Sequence, residues 1–550
     1  MSQQVKVLLL KYRWFILISV AAFAHRGLMF LNVVHILRNV LDDLEIFRHS
    51  SLICWQHLTI PALSEHLGKS ILYLQQTPPI PNIILGLGVK VFGWPHGTTY
   101  FLIFFQTLLS IGTTLLLFNL LARVTGNKYF SCIVSLVFVL STDLLVMEYN
   151  SCGQAFYENL AMFLLLLTVY YYGKVLHTGK PIYSVALGLT TGAMALTRAS
   201  FSYFFVVPAF LLLPLVRAAQ PKKSLHNIII YFVCLFGTQF AWCAKNYAVY
   251  GTLNIAASSW AGHNFLSGIM SIGKGDLLKR SILAEEGKYP KWFIEMVRIK
   301  GLQSWPYTLD SKVEIYLPSQ VQRDDKRIQV ILQNSNRPQN SVAERVISDL
   351  YMRACVRFYL KNPRIAAAKF LASYKLFWQP MRNYSNKLVN PLFTYPNLVN
   401  NSFNLNQIIR ASLSEGFCKN QFVYSTLVSE VLIGGRSACF FTVPALPVLM
   451  LGANIIAVHI IAPIILICSA ISVLRGRKAL FGREYFYLLG TLIYCILVMN
   501  LPDHGENMRF RLSVEPLIWL FSIFSSVILF QSGLSLSRKL QSYLKPLLRT

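Results

Sequence analysis

Three carboxylates within four residues form the stretch best suited to chemistry, Asp42, Asp43 and Glu45. The chain has only 23 acidic residues among 550, and this group directly follows a long apolar segment. A carboxylate placed there could take the proton from an attacking hydroxyl. A solvated helix start is the alternative, because acids favour helix N-termini. Asp42 and Asp43 are adjacent and point in different directions, so we expect one of them to be the base.

A second acidic group, Glu148 and Glu158, lies around the start of a later apolar segment. Glu158 opens an otherwise apolar helix, where it could orient an acceptor molecule or hold a cation. Polar residues that simply contact water at a helix end are the alternative interpretation. The two acids are therefore candidates for acceptor positioning or cation binding.

Several basic residues lie inside apolar segments or at their ends. Arg26 is within the first segment, where a charge is costly unless it pairs, so a structural bridge is its first interpretation. The others could be interfacial anchors or members of local salt bridges. A phosphate would also explain them, because Arg binds phosphate through a planar fork and Lys binds it as a point charge. The phosphate-binding candidates are Arg198, Lys245, Arg509 and Arg511.

The composition excludes an ordinary water-soluble globule. Apolar residues make up 54% of the chain and charged residues 13%, and the mean hydropathy is positive. Such a chain has too little polar surface to cover itself in water. The net charge of +28 is concentrated in short segments between apolar runs, which indicates membrane topology and contact with anionic lipid. Nucleic acid is not an expected partner, because no basic stripe lies on a soluble module.

About ten apolar segments approach the roughly 20 residues that a membrane-spanning helix needs. They cover residues 15–34, 98–121, 130–146, 156–172, 182–196, 203–216, 228–243, 443–474, 485–501 and 514–534. The fifth and sixth are short and could form a re-entrant pair. Residues 80–94 are predicted to form a juxtamembrane helix in the interface, because a crossing there would move the basic clusters to the outside.

With ten spans, Lys and Arg collect in every second short connection. Because Lys and Arg favour the cytosolic side of a membrane, both termini are predicted to lie in the cytosol. The candidate acids and the phosphate-binding candidates then all fall on the extracytoplasmic face. This topology divides the chain into an N-terminal transmembrane module (1–247) with a first outer loop (37–97), an extracytoplasmic loop domain (248–440) and C-terminal transmembrane helices (441–550).

Two further predictions concern the loop domain. Residues 343–374 have apolar residues at helical spacing and are predicted to form an amphipathic helix packed back on the membrane part. Residues 319–341 are predicted to form a loop. The apolar positions in the first stretch are Val346, Leu350, Met352, Val356 and Leu360.

Short motifs occur in a familiar order along most of residues 10–262 and 480–534. They are the acidic pair at 42–43, TPPIP at 77–81, YNSCGQAFYE at 149–158, ALTR at 195–198, the segment 245–262 and ENMRFRLSVEP at 506–516. Together they resemble the GT-C glycosyltransferases, with the nearest likeness to the protein mannosyltransferase and lipid A aminoarabinose transferase group. Each motif is only a few residues long, so the resemblance rests on their order and shared side.

The resemblance implies an all-α polytopic membrane protein with a GT-C-like bundle. It also implies inverting transfer of a sugar from a polyprenyl-phosphate donor to a lipid, glycan or protein acceptor. Asp42 or Asp43 would be the base, and Arg198, Lys245, Arg509 and Arg511 would hold the donor phosphate. The chain departs from the usual pattern in having Asp-Asp where Asp-Glu is common and Lys245 where Arg often stands. Some members use a divalent cation such as Mg or Mn and others use none, so both options stay open.

A bacterial plasma membrane is the expected location, because the start of the outer loop resembles bacterial members. Two alternatives to a transferase remain. A lipid or glycan transporter or flippase would also need Arg26 and a polar cavity, although transporters often have two related halves and this chain has no internal repeat. A non-catalytic subunit that keeps the GT-C fold is the other. Asn variants of Asp42 and Asp43 would abolish transfer in an enzyme and leave a scaffold unaffected.

Overall fold

The computed structural model describes residues 12–27, 58, 60–75, 77–94, 96–140, 156–212, 221–251, 260–302, 318–331, 342–378, 428–433, 436–441, 452–474, 482–501, 511 and 513–547. Most of these residues are helical, in agreement with the predicted all-α membrane fold. A two-stranded antiparallel hairpin, β1 (Val428–Ile433) and β2 (Arg436–Phe441), adds a small β element to the predicted all-α fold.

The helices are numbered in chain order. Their bounds are α1 (12–27), α2 (Ile60–Leu72), α3 (Pro79–Phe92), α4 (His96–Thr125), α5 (Lys128–Val139), α6 (Phe156–Thr178), α7 (Pro181–Thr197), α8 (Val206–Leu212), α9 (Pro221–Tyr250), α10 (Ala261–Ser271), α11 (Gly275–Ala284), α12 (Lys291–Lys300), α13 (Ser319–Ile331), α14 (Val342–Lys361), α15 (Pro363–Phe377), α16 (452–474), α17 (Arg483–Asn500) and α18 (Glu515–Leu547). A 3-10 turn, Ala199–Phe201, follows α7, and α16 contains a π-helical turn at Ala457–Ile461.

Five helices are long and apolar enough to cross a membrane: His96–Thr125, Phe156–Thr178, Ser224–Tyr250, Gly452–Ile471 and Glu515–Ser532. They coincide with five of the predicted spans. The remaining predicted spans coincide with helices that are at most 18 residues long over the described parts. The length and apolar composition of these helices therefore identify the chain as a membrane protein. The predicted interfacial segment is helical from Pro79 to Phe92, with proline in its first turn as expected.

The long helices pack side by side and give the bundle two distinct ends. At one end α6 begins and α7 ends, and Glu158 meets Arg198 there. We call this the polar end. At the opposite end, α6 joins α7 through a two-residue turn, and the His177 Nε2 of α6 lies 2.9 Å from a carboxylate oxygen of Glu484 at the start of α17. We call this the basic end, because Arg123, Lys128, Lys174 and Arg483 lie at helix termini on that side.

Two glycines let α7 and α9 approach closely. Gly188 and Gly192 are four residues apart, the spacing that allows close contact between membrane helices. A Cβ at position 188 would lie 2.5 Å from the Tyr231 carbonyl oxygen, and one at position 192 would meet the Thr238 hydroxyl oxygen. Both helices therefore depend on the absence of a side chain at these positions.

Gly188→Ala is expected to destabilise the protein, whereas Gly237→Ala on the facing helix α9 is not. The first change forces a methyl group against backbone, which typically costs about 1–3 kcal/mol. A Cβ at Gly237 meets nothing within 4 Å. The higher helix propensity of alanine should therefore leave the free energy of unfolding at the wild-type value or raise it by up to about 1 kcal/mol. Thermal unfolding of the two purified variants in the same detergent checks this. Equal midpoints would contradict the described packing of α7 on α9.

Helices α10 to α14 pack around a hydrophobic core of their own, which includes Leu266, Phe293, Ile347, Tyr351 and Cys355. We call these helices the helical domain. Part of the sequence prediction is wrong here. Val356 and Leu360 are 38% and 77% exposed, because the buried face of α14 follows Ile347, Tyr351, Cys355 and Phe358 and is rotated from the predicted one. Residues 319–331, predicted as loop, form α13.

Helix α15 attaches the helical domain to the bundle, as the sequence predicts for this region. Asn362 and Pro363 break the predicted single helix into α14 and α15. The buried Lys369 ammonium of α15 donates to the carbonyl oxygens of Asn500, at 2.8 Å, and Leu501, at 2.5 Å. These carbonyls close the C-terminus of α17, where positive charge is favourable. The Tyr374 hydroxyl lies 2.5 Å from His459 Nε2 of α16.

Lys369→Met is expected to lower stability by about 1.5–3 kcal/mol, the usual range for a lost hydrogen bond to a charged group. The change keeps a similar volume and leaves two helix-terminal carbonyls without their donor. Lys375→Met on the same helix removes an exposed ammonium and should have little effect. Thermal unfolding midpoints of both variants distinguish the two positions, and an unchanged midpoint for Lys369→Met would show that the contact does not hold α15 in place.

Candidate active site at the polar end

The described part of the chain contains five of the predicted site residues: Arg26, Glu158, Arg198, Lys245 and Arg511. The other four, Asp42, Asp43, Glu148 and Arg509, lie outside the described residues, as does Glu45, and their predicted roles stay predictions.

A buried ion pair joins two of the predicted residues. Glu158, in the first turn of α6, accepts a hydrogen bond from the guanidinium of Arg198, the C-cap residue of α7. Their side chains are 0% and 7% exposed. Arg198 Nη1 also donates to the Ser513 hydroxyl at 2.6 Å, so the segment before α18 takes part. The sequence assigned these residues to an acceptor and a phosphate separately, whereas they contact one another.

Arg511 lies beside this pair in the chain, two residues before Ser513. Its Nε is 2.9 Å from a carboxylate oxygen of Glu515 at the start of α18. The other carboxylate oxygen of Glu515 accepts a hydrogen bond of 2.9 Å from the Trp519 indole. Arg511 is 2% exposed, so the segment that precedes α18 contributes a second buried cation to the polar end.

Buried polar side chains continue from the ion pair into the bundle. Asn159, next to Glu158, donates to Gln106 of α4 at 2.8 Å. One turn further along α4, the Ser110 hydroxyl lies 3.4 Å from Arg26 Nη2, and Arg26 Nη1 is 2.9 Å from His25 Nδ1. Arg26 of α1 is thus held by neighbouring polar groups. The predicted pairing of Arg26 with an outer acid is not among these contacts and stays a prediction.

Lys245 lies at the same end of the bundle. Three residues earlier on α9, Trp242 packs in one hydrophobic cluster with Phe156 and Leu196, which precede Glu158 and Arg198 by two residues each. The Lys245 ammonium lies over the Trp242 ring, 3.5 Å from its centre. The sequence suggested that Lys245 caps the outer end of its helix. Helix α9 instead continues to Tyr250, so Lys245 lies within its last turns.

Three consecutive residues between α2 and α3 are held by hydrogen bonds from the surrounding helices. Tyr250 donates to the Tyr73 carbonyl and Lys245 to the Leu74 carbonyl. Arg345 of α14 donates to Gln75 Oε1 at 3.1 Å. Residues 73–75 of the predicted first outer loop are therefore held by α9 on one side and by the helical domain on the other.

Arg345 is a residue that the sequence analysis missed. It belongs to an amphipathic helix of the helical domain, and nothing local distinguishes it from the other arginines of α14. Burial lowers the pKa of its guanidinium, while the charges of Asp349 and Tyr250 raise it. An arginine pKa starts so far above neutrality that Arg345 stays charged at physiological pH despite this lowering. Arg345 and Gln75 are 270 residues apart in the chain, so no local sequence pattern predicts their contact.

The polar end thus combines three buried or half-buried cations, Arg198, Lys245 and Arg511, with carboxylates that partly balance them. Fixed charges in a water-poor site stabilise a developing negative charge more strongly than they would in water. Within the described ranges, no three His, Cys, Asp or Glu side chains are grouped so that they could hold a metal ion. Comparison of the chain with protein-family models, with curated proteins and with solved structures gives no match.

Proposed function

We propose that the chain is a membrane glycosyltransferase of GT-C type, which moves a sugar from a polyprenyl-phosphate donor to a lipid, glycan or protein acceptor. The observation that carries the proposal is the gathering of Arg198, Lys245 and Arg511 at one end of the bundle. These three cations come from segments far apart in the sequence. A membrane-embedded leaving group that carries phosphate needs positive charge in such a place.

The proposed topology has ten membrane crossings, with the basic end in the cytosol and the polar end outside. Lys and Arg residues collect at the basic end, which favours this orientation. The acids at 42–45 follow α1 in sequence. Arg26 of α1 contacts Ser110, one turn of α4 from the Gln106 that accepts from Asn159 beside Glu158. The helical domain then belongs to the extracytoplasmic side. The bacterial plasma membrane remains the proposed location.

In the proposed reaction, an acceptor hydroxyl attacks the anomeric carbon of the donor sugar. The bond between that carbon and the phosphate oxygen breaks, and the polyprenyl phosphate leaves with the electron pair. Asp42 or Asp43 takes the proton of the attacking hydroxyl. Lys245 and Arg511 stabilise the charge on the departing phosphate, and the pair of Glu158 and Arg198 positions the groups around it. One displacement inverts the configuration of the sugar.

Mass spectrometry of cell-envelope glycans and glycolipids tests this proposal in cells. Cells that lack the chain should lose one glycosylated lipid, glycan or protein and accumulate the unmodified acceptor. Complementation with the intact chain should restore the product, and complementation with a variant in which both Asp42 and Asp43 are Asn should not. Restoration by that double variant would contradict an Asp base.

A transporter or flippase of lipid-linked sugars is the second candidate. The polar residues that continue inward from Glu158 through Gln106 to Arg26 favour it, because buried polar side chains in spanning helices often line transport pathways. The two candidates differ in the fate of the donor. A transporter moves the donor intact across the bilayer, whereas a transferase releases free polyprenyl phosphate.

A further inference from the structure

The contacts around Lys245 include two groups that neither the sequence nor the resemblance assigns, Arg345 and Trp242. Lys245 and Arg345 bind consecutive residues of the segment between α2 and α3, Leu74 and Gln75. Because Leu74 and Gln75 are adjacent, the two cations lie on the same short stretch of chain. One cation comes from a membrane helix, α9, and the other from the helical domain, α14. The fold therefore brings two like charges to one place, where an anion would offset their repulsion.

The acid whose charge acts on Arg345, Asp349, offsets this positive charge only in part. Asp349 attracts Arg345, but it also attracts Arg353, so one carboxylate serves two guanidiniums. Asp349 is exposed at the surface, whereas Arg345 is 6% exposed. The local charge therefore remains positive on the buried side, where Lys245 lies.

Trp242 adds a neutral donor to the same place. Its ring carries the Lys245 ammonium on one face, and its indole N–H has no hydrogen-bond partner among the described residues. The side chain is 7% exposed. A buried donor without an acceptor is costly, so this N–H indicates that an acceptor belongs beside it.

Both cations keep donors to spare in the observed arrangement. A lysine ammonium has three N–H groups and an arginine guanidinium has five. The contacts with Leu74 and Gln75 use one donor of each residue. The combination of a point charge, a planar fork and a neutral N–H matches a tetrahedral anion with several acceptor oxygens, and a phosphate is such an anion.

We infer that Lys245, Arg345 and Trp242 form one phosphate site for a polyprenyl-phosphate ligand, to which the helical domain contributes Arg345. The inference deepens the proposed function and rests on it for the nature of the ligand. It gives the helical domain a role in holding the donor. It also explains why Arg345 reaches across to the segment that follows α2.

Equilibrium binding to the purified full-length chain tests the inference without any sugar transfer. The probes are a polyprenyl monophosphate, the corresponding polyprenol and inorganic phosphate, each titrated by calorimetry. Arg345→Gln should weaken binding of the polyprenyl monophosphate about tenfold or more and leave polyprenol binding unchanged. Arg357→Gln, an exposed arginine on the same helix, is the matched control and should bind like the wild type.

Wild-type affinity of Arg345→Gln for the polyprenyl monophosphate would overturn the inference, and so would an equal loss of polyprenol binding. If Arg345→Gln does not fold, Trp242→Phe decides, because it removes the indole N–H and keeps the ring: weaker phosphate binding supports the site and unchanged binding overturns it. Inorganic phosphate that competes at the same concentration as the lipid would overturn the lipid assignment. A chain that binds the lipid phosphate through Arg345 but transfers no sugar would keep this inference and refute the proposed function.

Discussion

Asparagine substitutions at Asp42 and Asp43 are expected to separate the two residues by their effect on transfer. One variant should lose about 10²–10⁴-fold in kcat, the usual contribution of a general base, and the other should change far less. Adjacent side chains point in different directions, so only one can reach the acceptor hydroxyl. Initial rates with saturating donor and acceptor, measured for each purified variant, give the comparison.

Glu45→Gln is the matched control, because it removes a third carboxylate from the same stretch. We expect its kcat to stay near the wild-type value. All variants should keep the wild-type unfolding temperature, since Asn and Gln preserve size and hydrogen-bonding capacity. Wild-type rates in both aspartate variants would contradict an aspartate base. Equally large losses of kcat in both aspartate variants and in Glu45→Gln would indicate a general electrostatic effect of the cluster.

Glu158→Gln is expected to destabilise the protein by about 3–5 kcal/mol, because the change leaves the buried Arg198 charge without its carboxylate. Replacing both members, as Glu158→Leu with Arg198→Met, should recover much of that loss, since apolar residues of similar size often replace a buried ion pair at little cost. Transfer activity should stay low in the double variant if the pair positions the reacting groups. Thermal unfolding and transfer rates on the same samples separate the two effects.

Glu484→Gln provides the control for this cycle. Glu484 is paired with His177, but their side chains are 39% and 67% exposed, and exposed pairs of this kind contribute about 0–1 kcal/mol. The stability and transfer activity of the Glu484→Gln variant should therefore differ little from those of the wild type. Full activity in the stable double variant would show that the pair of Glu158 and Arg198 is only structural.

Much of this pair could be predicted from the sequence. Glu158 opens one apolar segment and Arg198 follows the next, and a short turn joins the two helices. Antiparallel helices of similar length bring the start of the first beside the end of the second, so the contact follows from the order of the segments. The topology predicted from the sequence puts both residues on one face, although it does not by itself show that they contact one another. A direct pairing was the simpler consequence of the same topology.

Other features depend on contacts that no local pattern encodes. The buried face of α14 includes Cys355 and Phe358 in place of the expected Val356 and Leu360, because neighbouring helices, and not spacing alone, decide which stripe is covered. Arg345 looks like any arginine of a soluble helix until Gln75 is brought beside it. Helix α13 is rich in polar residues with few apolar ones, so its composition resembled that of a loop.

Release of free polyprenyl phosphate is the most direct measure of the central claim. Purified chain in liposomes would be supplied with polyprenyl-phosphate sugars and envelope acceptors, and the lipid products analysed by mass spectrometry. We expect free polyprenyl phosphate and glycosylated acceptor to appear in equal amounts, and neither to form when Asp42 and Asp43 are both replaced by Asn. A donor that stays intact, or that crosses the bilayer without losing its sugar, would contradict this claim.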